Sequence, residues 1–417
     1  MTGFVRVPAG STGDVAVLVG PTLLQGVTLG PGLHEHRSLW PEPPALGGSE
    51  LVALADAVGL RGRGGAGFPT ARKLEAALGA GSRRVVVVNA AEGEPASAKD
   101  ASLLLTVPHL VLDGATVVAT ALGTGTVNLV VPGDRPAVIA AVEEAVVERR
   151  GGPVGFTVTP TTATFVGGQA RSVVELLEGR ENLPVTSWQP EAISGVGGRP
   201  TLLSNAETYA QLAVLVATGP QRYAANGTAH EPGTALLTVA GDGPAAVVLE
   251  VPYGVALADV LAYCGFPAGA AALVGGYHGG WLTADQVARR TVSRTDLAAA
   301  GAFLGAGVVL PVDPAACPVV LTAAITAYLA ARGARRCGPC RHGLPALAEA
   351  GAALASGARE GAARRMLEVA GLVDGRGACA HPDGTARLVR SLVTAFPREV
   401  DAHDRGGCAV AAGYAAA

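Results

Sequence analysis

The chain has 417 residues, enough for two or three domains with cores of their own. Its formal net charge is −3, with acidic and basic side chains nearly balanced, so no basic field points to nucleic acid. Six cysteines in this length are too few for a disulfide scaffold. The opening MTGFVRVPAG lacks a basic region followed by an apolar run, so no signal peptide is expected. The longest apolar stretch, CPVVLTAAITAYLAA, is interrupted by threonines and sits at or below a membrane span's lower limit. A cytoplasmic chain that does not itself span a membrane is expected. Only two of the 31 basic residues are lysines, Lys73 and Lys99. In so arginine-rich a chain this is either chance or a sign that a site needs a compact ammonium, which arginine's planar fork cannot replace.

In chain order, ELVALADAVGL (residues 50–60) has helical periodicity, followed by the glycine-rich RGRGGAGFPT and a helix from about Pro69. RRVVVVNAAEGEP reads as a buried strand running into a polar loop. Helices near 108–122 and 134–149 alternate with the strands VNLVV and GFTVT, which predicts an α/β layer with a mostly parallel sheet. ARSVVELLEG is a helix stopped by Gly179, and PTLLSNAETYAQLAVLV reads as another helix. Near residue 231 the pattern changes. TALLTVAG, AAVVLEVPYG and AALVGG are short strands around one helix, ALADVLAYCG, predicting a small β-rich domain. From Asp313 the chain is helical, over 314–332, 340–356, 358–372 and 383–398, with short loops that predict a bundle.

GRGGAG fits G-x-G-x-x-G at Gly62, Gly64 and Gly67. A helix rather than a strand precedes it, so it is not a dinucleotide fingerprint, and no Gly-Lys-Ser/Thr follows to make it a P-loop. Glycines let the backbone approach a flat or phosphorylated ligand, the next helix N-terminus favours an anion, and Arg61, Arg63 and Lys73 add charge. The alternative is a flexible surface loop. Asn89 ends a predicted strand, the edge at which open α/β sheets bind ligands, and Glu92, Glu94, Lys99 and Asp100 crowd the following turn.

Taken together, GLRGRGGAGFPTARK, VVNAAEGEPASAKD, PTLLSNAETYA and CGPCRHG resemble the flavoprotein subunit of respiratory complex I and the diaphorase subunits of NAD-linked hydrogenases and formate dehydrogenases. The resemblance runs from about residue 50 through most of the chain. It implies a Rossmann-like α/β FMN domain (residues 1–230), a small ubiquitin-like β-grasp domain of the SLBB type (231–312), and a C-terminal helical bundle with an iron–sulfur site (313–417). It implies FMN contacts at Gly62, Arg63, Gly64, Gly65, Lys73, Asn89, Glu92, Ser204, Asn205 and Thr208. Phe68 would stack on the NADH adenine and Glu94 would bind a ribose.

A lone C-x-x-C reads as a dithiol, half a zinc site or part of a cluster. Cys337 and Cys340 lie between predicted helices rather than beside a sheet, and no second close pair supports zinc. The resemblance makes Cys337, Cys340 and Cys379 ligands of a 4Fe-4S cluster. The family's first cysteine is Ala334 here. Cys408 or His381 would supply the fourth position, or the site would hold a 3Fe-4S cluster or none. Cys317 is upstream on the same predicted helix, and Cys264 reads as buried core. Two further departures concern NADH. Gln169 and Ala170 replace an acidic pair near the flavin, and Ala91 replaces an aspartate before Glu92.

The expected function is passage of electrons from NADH through FMN to a 4Fe-4S cluster and on to an iron–sulfur or ferredoxin-like partner. A second reading keeps both cofactors without NADH, and a third is a non-catalytic scaffold subunit.

Overall fold

Four consecutive valines, Val85–Val88, set the plan of the first half of the molecule. Val86 and Val88 face one apolar cluster and Val85 and Val87 another, so the strand is buried on both sides. That is the condition of a parallel strand covered by helices on both faces. A computed structural model describes residues 3–9, 13–81, 83–241, 245–267 and 269–410. The chain forms two compact units. The first comprises Met1–Leu183, Ser187–Thr238 and Ala245–Val255, and the second Pro184–Thr186, Val239–Pro244 and Ala256–Ala417.

In the first unit the order is β1 (Phe4–Val7), β2 (Val15–Leu18), α1 (Leu33–Leu39), α2 (Gly48–Ala57), α3 (Thr70–Gly79), β3 (Val85–Asn89), α4 (Lys99–Thr106) and α5 (Pro108–Ala121). There follow β4 (Thr126–Val131), α6 (Pro136–Glu148), β5 (Gly155–Pro160), α7 (Ala170–Leu177), β6 (Thr201–Asn205), α8 (Ala206–Tyr223), β7 (Thr234–Val239) and β8 (Val247–Pro252). Strands β5, β4, β3 and β6 lie side by side in that order, all parallel. Chain order leaves β3 in one direction, to β4 and β5, and returns on its other side with β6. Such a reversal opens a crevice at the carboxyl ends of the two strands. Here those ends are Asn89 and Asn205, which are in register with each other.

One expectation is corrected. TLLSN is not the start of a helix but strand β6, and α8 begins at Ala206. Pairing with β3 fixes Thr201–Asn205 as extended chain, overriding the helical pattern of the sequence that follows. Asn205 then caps α8 by accepting from the Glu207 amide at 3.1 Å. The first fifty residues, which carry little signal, contribute the β1–β2 hairpin and a loop tied to β8. The Glu250 carboxylate accepts from the Thr22 and Leu24 amides, each at 3.0 Å.

The second unit contains α9 (Leu257–Tyr263), β9 (Ala271–Val274), β10 (Gly280–Leu282), α10 (Ala284–Arg289), α11 (Arg294–Ala299) and β11 (Val308–Val312). Strand β9 pairs antiparallel with both β10 and β11. Helices α12 (Pro318–Ala331), α13 (Leu344–Ala355), α14 (Ala362–Val373), α15 (His381–Ala395) and α16 (Pro397–Asp404) complete it. Helix α12 packs on α13, α13 on α14, α14 on α15, and α15 back on α12. No single helix among the described residues is long and apolar enough to cross a membrane.

Candidate functional site

The glycine loop sits between α2 and α3 and is fastened at both ends. The Gly62 amide donates to the Phe68 carbonyl (2.9 Å), and the Arg63 amide to the Thr208 hydroxyl in the first turn of α8 (2.9 Å). The Arg63 side chain turns inward. It is buried, donates to the Thr234 carbonyl at 2.9 Å and to the Tyr253 hydroxyl, and lies 3.6 Å from Glu207. Gly64 and Gly65, by contrast, face solvent beside the end of β6. A Cβ on Gly64 would stand 3.3 Å from the Asn205 Cβ, so a side chain there would crowd the edge of the crevice. This is an open backbone cradle against a strand end, of the shape a flat phosphorylated cofactor needs.

Lys73, one turn into α3, is half-buried and donates to the Leu203 carbonyl on β6. Burial lowers its pKa from the usual lysine range, against the pull of Glu191. Asn89 donates to the Gly168 carbonyl (2.8 Å) and accepts from the Ala91 amide (3.2 Å), which joins the end of β3 to the loop before α7. The two loops touch closely: a Cβ on Gly93 would lie 2.5 Å from the Phe165 carbonyl oxygen. Thus Gly64, Lys73, Asn89, Ser204, Asn205 and Thr208 converge at the carboxyl ends of β3 and β6. FMN fits this arrangement, since the chain offers it an open loop and a cation at one strand edge.

Beneath lies a buried ionic network. The Lys99 ammonium contacts Asp100 (2.8 Å), Glu207 (3.0 Å) and Asn205 (3.0 Å). All three of its donors are therefore used, and its pKa is held above the usual lysine range by these acids although burial opposes this. Burial pushes Asp100 up to about 6, against Lys99 and the Asn205 side chain. Glu92, with a left-handed φ of 41°, accepts from the Ser97 hydroxyl and the Asp100 and Ala101 amides, and pairs with Arg135 at 2.7 Å. Both carboxylate oxygens thus serve the N-terminus of α4. Arg135 and Glu207 carried no sequence signal as partners, because they meet Glu92 and Lys99 only through the fold.

Phe68 is 55% exposed at the end of the glycine loop. Glu94 is buried, with its carboxylate 3.4 Å from the Ala96 amide. Gln169 and Ala170 open α7, and the Gln169 side chain makes no capping hydrogen bond.

In the second unit, Cys337, Cys340 and Cys379 come together. Burial pushes Cys340 up to about 12, with Cys337 and Cys379 adding to the shift, and Cys379 is raised by burial and by Cys337. Cys337 and Cys379 therefore lie close to the Cys340 sulfur, and ionising the three together requires a cation. The Arg335 amide faces the Cys340 sulfur and the His381 amide the Cys379 sulfur. A Cβ on Gly333 would stand 3.5 Å from the Cys340 sulfur, so the backbone closes one side. Three thiols with inward amides fit an iron–sulfur group.

The fourth-ligand candidates do not join them. His381 uses both ring nitrogens, against the Leu329 carbonyl (2.9 Å) and His278 (3.1 Å). Cys408 lies instead with Cys317, Glu399 and His403. Cys264 is buried, as expected.

Two family descriptions match the chain. They are the Nuo51 FMN-binding domain over residues 55–214 and the NADH-ubiquinone oxidoreductase-F iron–sulfur binding region over residues 321–403. Similar curated proteins include the F-type subunit of the NADH-quinone oxidoreductase of Mycobacterium tuberculosis, 28% identical across 86% of this chain and 85% of that one. The NADP-reducing hydrogenase component HndC of Solidesulfovibrio fructosivorans is 30% identical across 72% of this chain and 65% of its own. Among solved structures, an NAD+-reducing NiFe-hydrogenase in the H2-reduced state matches with a TM-score of 0.81 and 28% identity. The match covers 92% of this chain and 66% of that one.

Proposed function

This chain belongs to the family of flavoprotein oxidoreductase subunits shared by NADH-quinone oxidoreductases and NAD-reducing hydrogenases, and from that premise we propose that it carries electrons between FMN at the β3–β6 crevice and an iron–sulfur cluster at Cys337, Cys340 and Cys379. The observation that carries this reading is the convergence of the glycine loop, Lys73, Asn89 and Asn205 at adjacent strand ends. FMN bound there would accept an electron pair from a reductant and release electrons one at a time.

The chain's own residues divide the work. Gly62, Gly64 and Gly65 bring backbone up to the flavin, while the buried side chain of Arg63 anchors the loop from below. Lys73 holds positive charge at the edge of the crevice, and Ser204, Asn205 and Thr208 line the β6–α8 corner. Glu92 is a positioning residue that fixes α4 and with it Lys99 and Asp100. Phe68 and Glu94 would hold the adenosine half of NADH. The proposed division is a Rossmann-like α/β FMN domain over 1–230, a β-grasp domain over 231–312 and a four-helix bundle with the cluster over 313–417. The electron acceptor would be an iron–sulfur or ferredoxin-like protein, either free or assembled with this chain.

Gln169 and Ala170 at the start of α7 favour a second reading, in which both cofactors serve ferredoxin-like partners and NADH is not used. The visible spectrum of the anaerobically purified chain, with iron and sulfide counts, before and after NADH, tests both. Flavin bleaching by NADH supports the first, and flavin that persists beside intact iron supports the second. A colourless protein free of iron refutes both.

A further inference from the structure

Cys408 and Cys317 are not spare thiols near the cluster. Cys317 is the residue just before α12, with its sulfur towards the Val319 and Val320 amides. Glu399 and His403 are one turn apart on α16, and Cys408 follows that helix. One ligand atom from each lies within 4.8 Å of the other three. The Cys317 sulfur is 3.4 Å from the Glu399 carboxylate and 3.2 Å from the His403 Nε2. The Cys408 sulfur is 3.1 Å from the same carboxylate oxygen, and His403 Nε2 is 3.3 Å from it.

We propose that Cys317, Glu399, His403 and Cys408 bind one zinc ion, at a site separate from the iron–sulfur cluster. Four ligands at tetrahedral angles on bonds of about 2.0–2.3 Å have edges of about 3.3–3.8 Å; four of the six ligand separations are 3.1–3.4 Å and all lie within 4.8 Å. The cage therefore has the dimensions of one ion. Its two thiolates, imidazole and carboxylate form a soft, mixed donor set that suits zinc and discriminates against calcium and magnesium. The outer shell is in place as well. The other ring nitrogen of His403, Nδ1, lies 3.2 Å from the Leu354 carbonyl on α13. A hydrogen bond there leaves the proton on Nδ1 and turns the Nε2 lone pair to the cage, the usual support of a metal-bound histidine.

Burial supplies the energetic reason. Glu399 and His403 are 7% and 4% exposed. The described partners of the carboxylate are two thiols and an imidazole, all of them electron-pair donors once deprotonated. Such a set in a low-dielectric interior is stabilised by a cation at its centre. A cavity lined by Trp281, Pro318, Phe396, Glu399 and Val410 adjoins it and gives an ion a way in. The ion would tie the start of α12 to α16 and the segment after it, so the role is structural.

The test uses the full-length chain, purified anaerobically and stripped of metal with a chelator, then titrated with Zn2+ and, for its spectrum, with Co2+. One zinc per chain is expected, with a thiolate-to-metal charge-transfer band in the cobalt form. Cys408→Ser, which lies outside any helix, should weaken zinc binding about tenfold or more, and Cys317→Ser should do the same. Cys337→Ser should lose iron and keep zinc, so failure of the cluster reading and failure of this one are distinguishable. Absence of stoichiometric zinc binding by the wild-type chain would overturn the proposal. So would zinc that survives in the Cys317→Ser/Cys408→Ser double variant, or a Cys317–Cys408 disulfide in the anaerobic protein.

Discussion

Asn205 donates its side-chain amide to the backbone carbonyl of Asn89 across 3.2 Å, joining the ends of two adjacent parallel strands. The same amide reaches Asp100 at 2.6 Å, while its oxygen accepts from Lys99 and from the Glu207 amide. One side chain therefore couples the crevice floor to the buried ionic network beneath it.

Lys99→Met should destabilise the chain by about 3–5 kcal/mol, because it removes the buried cation between Asp100 and Glu207, leaves Glu207 only the more distant Arg63 and forces Asp100 to take up a proton. Denaturant midpoints of the flavin-free variant and wild type check this. A shift corresponding to under about 1 kcal/mol would show that the network is compensated elsewhere.

Lys73→Ala should lower flavin occupancy strongly with little change in stability, since Lys73 is only half-buried and its described hydrogen bond is to one carbonyl. Flavin-to-protein absorbance ratios after gel filtration measure it. Full retention of flavin would remove Lys73 from the site.

Cys379→Ser should lower iron content, as one of three placed thiolates is lost. Electron paramagnetic resonance of the wild type separates a three-iron from a four-iron group. Iron content unchanged in the variant would refute the ligand assignment.

Ala170→Glu should tighten NADH binding by roughly tenfold and leave flavin content unchanged. It restores an acceptor at the start of α7, and a hydrogen bond to a charged group is worth about 1.5–3 kcal/mol, where about 1.4 kcal/mol is tenfold in affinity. An acid in the first helical turn is also favoured by the helix dipole. Equal reduction curves for variant and wild type in NADH titrations would count against a nicotinamide site here.

Acid should destabilise the first unit well before its exposed carboxylates titrate. Burial, helped by Arg149, pushes His109 down to about 4 from 6.5, although Glu148 opposes this. A histidine depressed in the folded state contributes stability that is complete above its unfolded pKa. That stability is lost as pH falls from about 6.5 towards 4, because the unfolded chain takes up the proton first. The loss reaches about 3 kcal/mol. His109→Gln should flatten the fall in melting temperature over this range, and an unchanged slope would assign it to other groups.

The parallel sheet was legible because its central strand β3 is apolar on both faces and its turns are marked by glycine, asparagine and proline. Strand β6 was not, since five residues running straight into a helix share one apolar pattern and only pairing with β3 separates them. The glycine loop and Asn89 were readable from spacing and position. Arg135, Glu207 and Tyr253 were not, because each meets its partner across a separation that only the fold closes. Cys408 had two open readings in the sequence, and its place beside Cys317 follows from where α16 ends.

The scarcity of lysine turns the chain into its own reporter. Lys99 is 3% exposed and bound on all its donors, whereas Lys73 is half-buried at the crevice and, with its pKa lowered by burial, carries more of the reactive free amine. An amine-directed acylating reagent applied to the folded protein will therefore mark one internal position almost exclusively. The rate of that labelling, followed by mass spectrometry, gives a direct footprint of whatever occupies the mouth of the β3–β6 crevice.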